Sequence, residues 1–171
     1  LSSMWTAAAH GNPALIRLFH GHNDKTPGNG LALLNHANRK GSTAAFVAAQ
    51  EGHVQCLRAL VERGADMRQG NRDRATPVFA AAYQGHSDCL QFLLSDPACG
   101  CEAQPPGSQA VPLFAAAQNG HCACVKLLVE DYGVDVDQIK PGDGVSASHV
   151  AALRGHEAVL KLLHSYGARM D

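Results

Sequence analysis

The sequence predicts an all-α solenoid of stacked helix-turn-helix units joined by β-turn loops, and three observations predict it. A glycine-centred stretch recurs as "WTAAAHGNPALIRLFH" (5–20), "FVAAQEGHVQCLRALV" (46–61), "FAAAYQGHSDCLQFLL" (79–94), "FAAAQNGHCACVKLLV" (114–129) and "HVAALRGHEAVLKLLH" (149–164). Its anchors Gly11, Gly52, Gly85, Gly120 and Gly155 lie 41, 33, 35 and 35 residues apart, a spacing that marks a repeat array. Each anchor also has paired alanines before it and an apolar helical stripe after it.

The first helix of each unit rests on the alanines: Ala7-Ala8, Ala48-Ala49, Ala81-Ala82, Ala116-Ala117 and Ala151-Ala152. Alanine has the highest helix propensity and lets neighbouring helices approach closely. The anchor glycine ends that helix, because a left-handed C′ residue is free of steric cost only for glycine. The second helix follows from apolar residues four, five and eight places after the anchor: Leu15, Ile16, Phe19; Cys56, Leu57, Leu60; Cys89, Leu90, Leu93; Cys124, Val125, Leu128; Val159, Leu160, Leu163. That spacing is one helix face. Gly64, Gly133 and Gly167 stop three second helices and Pro97 stops the third repeat's. One such unit cannot bury its apolar face, so copies must stack. The expected organisation is a single domain over 1–171, with repeats at about 1–22 (a partial N-terminal copy), 38–70, 71–103, 106–140 and 141–171, and an inserted loop at 23–37.

"ATPVFAAAYQGH" (75–86) with Thr76 and Pro77, "GSTAAFVAAQEGH" (41–53) with "RGAD" (63–66), and "GVSASHVAALRGH" (144–156) carry a family resemblance. The chain resembles an ankyrin-repeat array along nearly all of its length. Departures are also expected to matter. The family's histidine six places before the anchor is here Trp5, Phe46, Phe79, Phe114 and His149, an aromatic ladder expected to pack repeat on repeat. Arg74 replaces a turn glycine, so that loop is expected to be reshaped. Arg68 and Asp137 stand where the family's unit-closing asparagine would be, so hydroxylation of such an asparagine is not expected.

Composition suits a globular protein: 46% of residues are apolar and the net charge is −1. No apolar run approaches the roughly 18–20 residues that span a bilayer. Starting within a repeat at Leu1, the chain reads as a segment of something longer. With no sequon and six cysteines free of a pairing pattern, an intracellular home is expected, the cytoplasm first and the nucleus second. Cys56, Cys89 and Cys124 fall in one core column. Cys99 and Cys101 read as exposed, reactive thiols in preference to half of a zinc site shared with Cys122 and Cys124, whose Cys-x-Cys spacing is too tight.

His53, His86, His121 and His156 each follow an anchor and read as scaffold imidazoles tying a unit to its neighbour. His20, His22 and His36 with Asp24 lie around the insertion with spacing too irregular for a metal site, and no cofactor is expected. Leu31, Leu33 and Leu34 suggest that the insertion folds back on the array or meets a partner. There is no glycine-rich phosphate loop or metalloprotease motif, and "GVSAS" (144–148) lacks the last glycine of a nucleophile elbow. No catalytic residue is expected.

Function is therefore expected in residues that differ between copies. The resemblance implies a non-catalytic scaffold or adaptor module binding a protein on its concave face. By position that face includes Arg39, Lys40 and Ser42; Gln50 and Glu51; Arg72, Asp73 and Arg74; Tyr83 and Gln84; Gln118 and Asn119; Lys140 and Asp143; Leu153 and Arg154. Arg39, Lys40, Arg72 and Arg74, with Arg68 nearby, form a positive stripe beside Tyr83, suited to an acidic or extended segment. The alternatives are a spacer or regulatory domain within a larger enzyme or channel, and weak binding of an anionic surface or nucleic acid. No nucleic acid and no membrane insertion are expected, and the isolated domain is expected to be monomeric. His164, replacing the aliphatics Val61, Leu94 and Val129, suggests a capping repeat.

Overall fold

An alanine-rich helix opens each unit, capped by a hydroxyl in repeats two, three and five, and an amphipathic helix closes it. The computed structural model describes residues 2–19, 34–104, 110–142 and 144–169. The first helices are α1 (Ser2–Ala9), α3 (Ala44–Gln50), α5 (Pro77–Gln84), α7 (Pro112–Gln118) and α9 (Ala147–Leu153). The second helices are α2 (Pro13–Phe19), α4 (Val54–Glu62), α6 (Ser87–Ser95), α8 (Cys122–Lys126) and α10 (Glu157–Ser165). Thr43, Thr76 and Ser146 accept from the backbone N–H three residues on, at 3.2, 3.3 and 3.2 Å, which fixes where α3, α5 and α9 begin. Pro77 and Pro112 sit in the first turn, where a missing N–H costs nothing.

The first helices pack one on the next to form one layer, and the second helices form the other. Among the described residues there is no strand, only an isolated bridge between Ile139 and Ser146. The alanine pairs of α1, α3, α5 and α7 are buried between the layers, as are Cys56, Cys89, Cys124 and the leucines after them. No described helix is long and apolar enough to cross a membrane.

The Gly-His pairs are the joint between units. The anchors Gly11, Gly52, Gly85, Gly120 and Gly155 all have positive φ, from 64 to 83°. Against each of the first four lies the imidazole of the following unit. A Cβ on Gly85 would come within 2.5 Å of His121 Nδ1, and one on Gly52 within 2.7 Å of His86 Nδ1. The far side of each ring donates from Nε2 to a carbonyl of the preceding unit: His53 to Ala9 (3.1 Å), His86 to Gln50 (3.1 Å), His121 to Tyr83 (3.0 Å) and His156 to Gln118 (2.9 Å). A carbonyl only accepts, so each bond requires the proton on Nε2.

Repeat four departs from its neighbours. Gly120 and Gly133 are 13 residues apart, where Gly52–Gly64 and Gly155–Gly167 are 12 apart. The extra residue is absorbed in a π-helical turn over Leu127–Asp131. The closing bond shows the slip: Ala65 N–H reaches Leu60 O and Ala168 N–H reaches Leu163 O, but Val134 N–H reaches one residue further, to Leu128 O. Tyr132, the residue before Gly133, lies near Ser95 of the preceding unit. Residues in the equivalent place also reach back, Arg63 to Arg17 O at 2.7 Å and Tyr166 to Glu130.

One expectation fails here. The loop bearing Arg74 is not reshaped. Asn38 Oδ1 accepts from Lys40 and Ser42 N–H, and Asn71 Oδ1 accepts from Asp73 and Ala75 N–H in the same pattern. Arg74 takes the left-handed conformation of Gly41, at φ 60° against 78°. The asparagine side chain, not the glycine, sets the turn. The aromatic column packs into the core shared by the units, with no ring-on-ring contact from one repeat's aromatic to the next among the described residues. Phe46, Phe79, Phe114 and Trp5 pack against the core, but Phe79 stacks on Tyr83 of its own helix (5.9 Å), Lys140 lies 5.3 Å over Phe114, and Trp5 donates to His36 O at 3.1 Å. His149 is exposed.

His20, His22, Asp24, Leu31 and Leu33 of the insertion lie outside the described residues. Leu34 is in the core at 2% exposure. Asn35 Oδ1 accepts from Asp66 N–H at 2.8 Å, as Asp137 Oδ1 accepts from Arg169 N–H at 2.8 Å. Asn35 thus fills the unit-closing place of the first repeat, which the insertion before it obscures in the sequence.

Candidate protein-binding face

Two rows of side chains run across the array on its loop side. One comes from the residue two before each anchor: Gln50, Tyr83, Gln118 and Leu153. The carbonyls of the first three are held by the next unit's imidazole, so their backbone is fixed and the spacing between their side chains is set in advance. Tyr83 is 41% and Leu153 76% exposed, while Gln50 and Gln118 are half-buried. The adjoining row holds Glu51, Gln84 and Arg154, all exposed, and Asn119, whose side-chain amide is turned to Ala115 O.

The turn tips form the second element. Arg39, Lys40, Arg72, Asp73 and Arg74 are exposed. The turn at Gly41 lies directly against Arg72, whose Cγ and N would be 2.7 and 2.8 Å from a Cβ placed there, so the two basic turns stack in contact. Arg39, Lys40, Arg72 and Arg74 hold no ion pair among the described residues. Other cations are engaged: Arg17 with Glu62 (3.3 Å), Lys161 with Glu157 (2.6 Å), Arg169 with Asp137 (3.5 Å), and Arg58 over Phe92 (4.6 Å).

The structure removes two residues from the expected face. Ser42 is 7% exposed, turned in behind the Asn38 turn. Arg68 leaves the stripe: it pairs with Asp66 at 3.3 Å and lines a cleft with Gly100, Cys101 and Glu102. Lys140 is half-buried over Phe114, and Asp143 lies outside the described residues. Asn38 and Asn71, which shape both basic turns, were not singled out; asparagine three places before a left-handed residue is the signal that would have found them.

The cysteines also correct an expectation. Cys99 and Cys101 are not exposed thiols: Cys99 is 3% exposed, and Cys101, half-buried, donates to Met67 O at 3.4 Å. Burial pushes Cys99 up to about 11, aided by Asp96, and Cys101 up to about 12. Cys89 is likewise pushed up to about 12 and Cys124 to about 11 by burial. No three His, Cys, Asp or Glu side chains form a metal-binding group among the described residues.

A pH dependence follows. In the unfolded chain these thiols ionise near their ordinary value of 9.0, while in the folded chain they stay protonated to about 11–12. Between those values the native state holds more protons, so stability is complete below pH 9 and falls as pH rises toward 11–12. The urea midpoint is expected to be flat from pH 7 to 8.5 and to drop steeply above pH 9.5; Cys89→Ala together with Cys124→Ala should flatten that drop.

The fold and these rows define a repeat solenoid that presents a pre-set surface. The family model for ankyrin repeats (three copies) matches residues 4–105 and 101–171. The chain belongs to the ankyrin-repeat family, whose domains are generally protein–protein interaction modules and typically non-catalytic. The crystal structure of the human ASB11 ankyrin repeat domain is similar over 98% of this chain and 70% of that one, with a TM-score of 0.81 and 25% identity. Among curated proteins, no sequence match is found.

Proposed function

We propose that this domain is a non-catalytic adaptor that holds an acidic, extended segment of a protein partner across its loop-side, concave face. The observation that carries the reading is the set of four cations, Arg39, Lys40, Arg72 and Arg74, without an ion pair among the described residues and set on two turns that stack in contact. Their charge steers an acidic segment in, and Tyr83, rigidly mounted beside Phe79, supplies the aromatic anchor. Gln50, Glu51, Gln84, Gln118, Asn119, Leu153 and Arg154 continue the contact toward the C-terminus, and Asp73 sets its register by repelling misplaced carboxylates. The module works in the cytoplasm or nucleus as a monomer and does not use nucleic acid.

The test is capture from lysate at 50 and 300 mM salt with two baits. One is the native chain; the other carries Arg39, Lys40, Arg72 and Arg74 changed to alanine and Tyr83 to serine, with folding matched by circular dichroism. A protein captured by the first, weakened by salt and lost from the second supports the reading. The same protein on both baits shows the face to be wrong, and no capture by either favours a spacer.

A further inference from the structure

One anchor glycine follows an asparagine. We propose that Asn119-Gly120 is a site of spontaneous covalent modification, held unreactive by the joint between repeats four and five and converted to aspartate and isoaspartate when that joint opens. The reaction needs no partner and does not rest on the loop-side reading.

The residues before the other anchors are His10, Glu51, Gln84 and Arg154. Asparagine followed by glycine has a chemistry that these lack. Gly120 N, with no side chain beside it, can attack Asn119 Cγ. The proton of the Gly120 N–H leaves with Nδ2 as ammonia, and a succinimide ring closes. Water then opens the ring at either carbonyl, leaving aspartate or isoaspartate. Gln84 would need a larger ring, which closes more slowly. Asparagine is for this reason among the thermolabile residues. The glycine is also fixed in place, by its φ of 79° and by His156 Nδ1, 2.8 Å from where a Cβ would stand. The other Asn-Gly pair of the sequence, Asn29-Gly30, lies outside the described residues.

The folded array engages both nitrogens of the reaction. Asn119 Nδ2 donates to Ala115 O at 3.0 Å, and Gly120 N–H donates to Ala117 O at 3.3 Å. The attacking nitrogen thus keeps its proton, and the leaving amide is tied back to α7. Ring closure must turn the Asn119-Gly120 peptide, which displaces the imidazole seated on Gly120. That ring is held in turn, because its Nε2 donates to Gln118 O at 2.9 Å. Repeat four is also less secured at its start. Its α7 begins at Val111 without a side-chain cap, where Thr43, Thr76 and Ser146 each supply one.

Conversion is one-way, and it strikes the joint itself. A carboxylate at position 119 cannot donate to Ala115 O, and it adds negative charge at the negative end of the α7 dipole. Isoaspartate further lengthens the backbone by a methylene, which carries Gly120 off His156 and loosens α9 and α10.

Peptide mapping by mass spectrometry reads the conversion, in native buffer and in guanidinium chloride at one pH and temperature. The native chain is expected to convert at Asn119 about a hundredfold more slowly than the unfolded one, since only a local opening frees the pair. His156→Ala should speed the native reaction several-fold and Val111→Thr should slow it, with neither changing the rate in denaturant. Asn119→Gln should abolish conversion at this place, which Gln84 shows to accept glutamine. The converted fraction, separated by its extra negative charge, should show faster amide hydrogen exchange across α9 and α10 than the fresh chain. Equal rates in native buffer and denaturant overturn the proposal, as does a native rate indifferent to both His156→Ala and Val111→Thr. A converted fraction whose α9 and α10 exchange as in the fresh chain overturns the loosening of repeat five.

Discussion

Gly85→Ala is expected to destabilise the domain by about 3 kcal/mol, lowering the melting midpoint by roughly 6–10 °C. Two costs combine. A side chain held at φ 83° pays about 1–2 kcal/mol for the left-handed conformation. The new Cβ would also stand 2.5 Å from His121 Nδ1 and 2.7 Å from its Cε1, so the ring must leave its seat. The ring is not free to do so cheaply, because its other edge holds Tyr83 O at 3.0 Å, a bond worth about 1 kcal/mol. Gly133 is the control. Its φ of 62° carries the conformational cost alone, with nothing within 4 Å of a Cβ, so Gly133→Ala is expected to cost only about 1 kcal/mol. In a His121→Ala background Gly85→Ala should fall to that same value, since the obstructed ring is gone. Urea unfolding of the three single variants and the double mutant measures the coupling. Equal costs at Gly85 and Gly133 would remove the imidazole from any role in joining the units.

What was legible in the sequence is what the chemistry of one unit decides by itself. The alanine pairs and the left-handed anchors recur in every copy and the Gly-His pair in four of the five, and each follows from helix geometry and from the donor and acceptor capacity of an imidazole. Tyr83 was legible as an exposed residue from its place at the end of the first helix, where the family resemblance puts the concave face, and it is 41% exposed. Misreadings arose where burial comes from contact between units. Cys99 and Cys101 sit in a loop and read as accessible, yet the preceding unit's Met67 carbonyl and the packing around it cover them. Arg68 reads as one more cation of the stripe until Asp66 beside it takes its charge. Asn35 was hidden because the insertion before it breaks the period. The π-turn was countable, as one residue too many between Gly120 and Gly133, but only against spacings that a tolerance of a few residues smooths away.

Arg74→Gly is expected to change stability and binding in opposite directions. Among the described residues Arg74 is the one non-glycine residue with positive φ, and its turn is otherwise the same as that at Gly41. Glycine there relieves about 1–2 kcal/mol of backbone cost and returns about 0.5–1 kcal/mol through the greater freedom of the unfolded chain. A net gain of about 0.5 kcal/mol in urea unfolding follows. The same change removes one of the four cations from the stacked turns. For the acidic segment proposed as partner, the loss should be about tenfold in affinity, measured by calorimetry with the captured segment at low salt. Arg74→Ala separates the two effects, because alanine keeps the left-handed cost and lacks the charge: binding should weaken as much while stability stays near that of the native chain. A stabilised Arg74→Gly that binds as tightly as the native protein would leave the strained arginine with no part in recognition. Weakened binding in both variants, with stability raised in one alone, would mean that backbone strain is maintained at this turn tip for the guanidinium it presents.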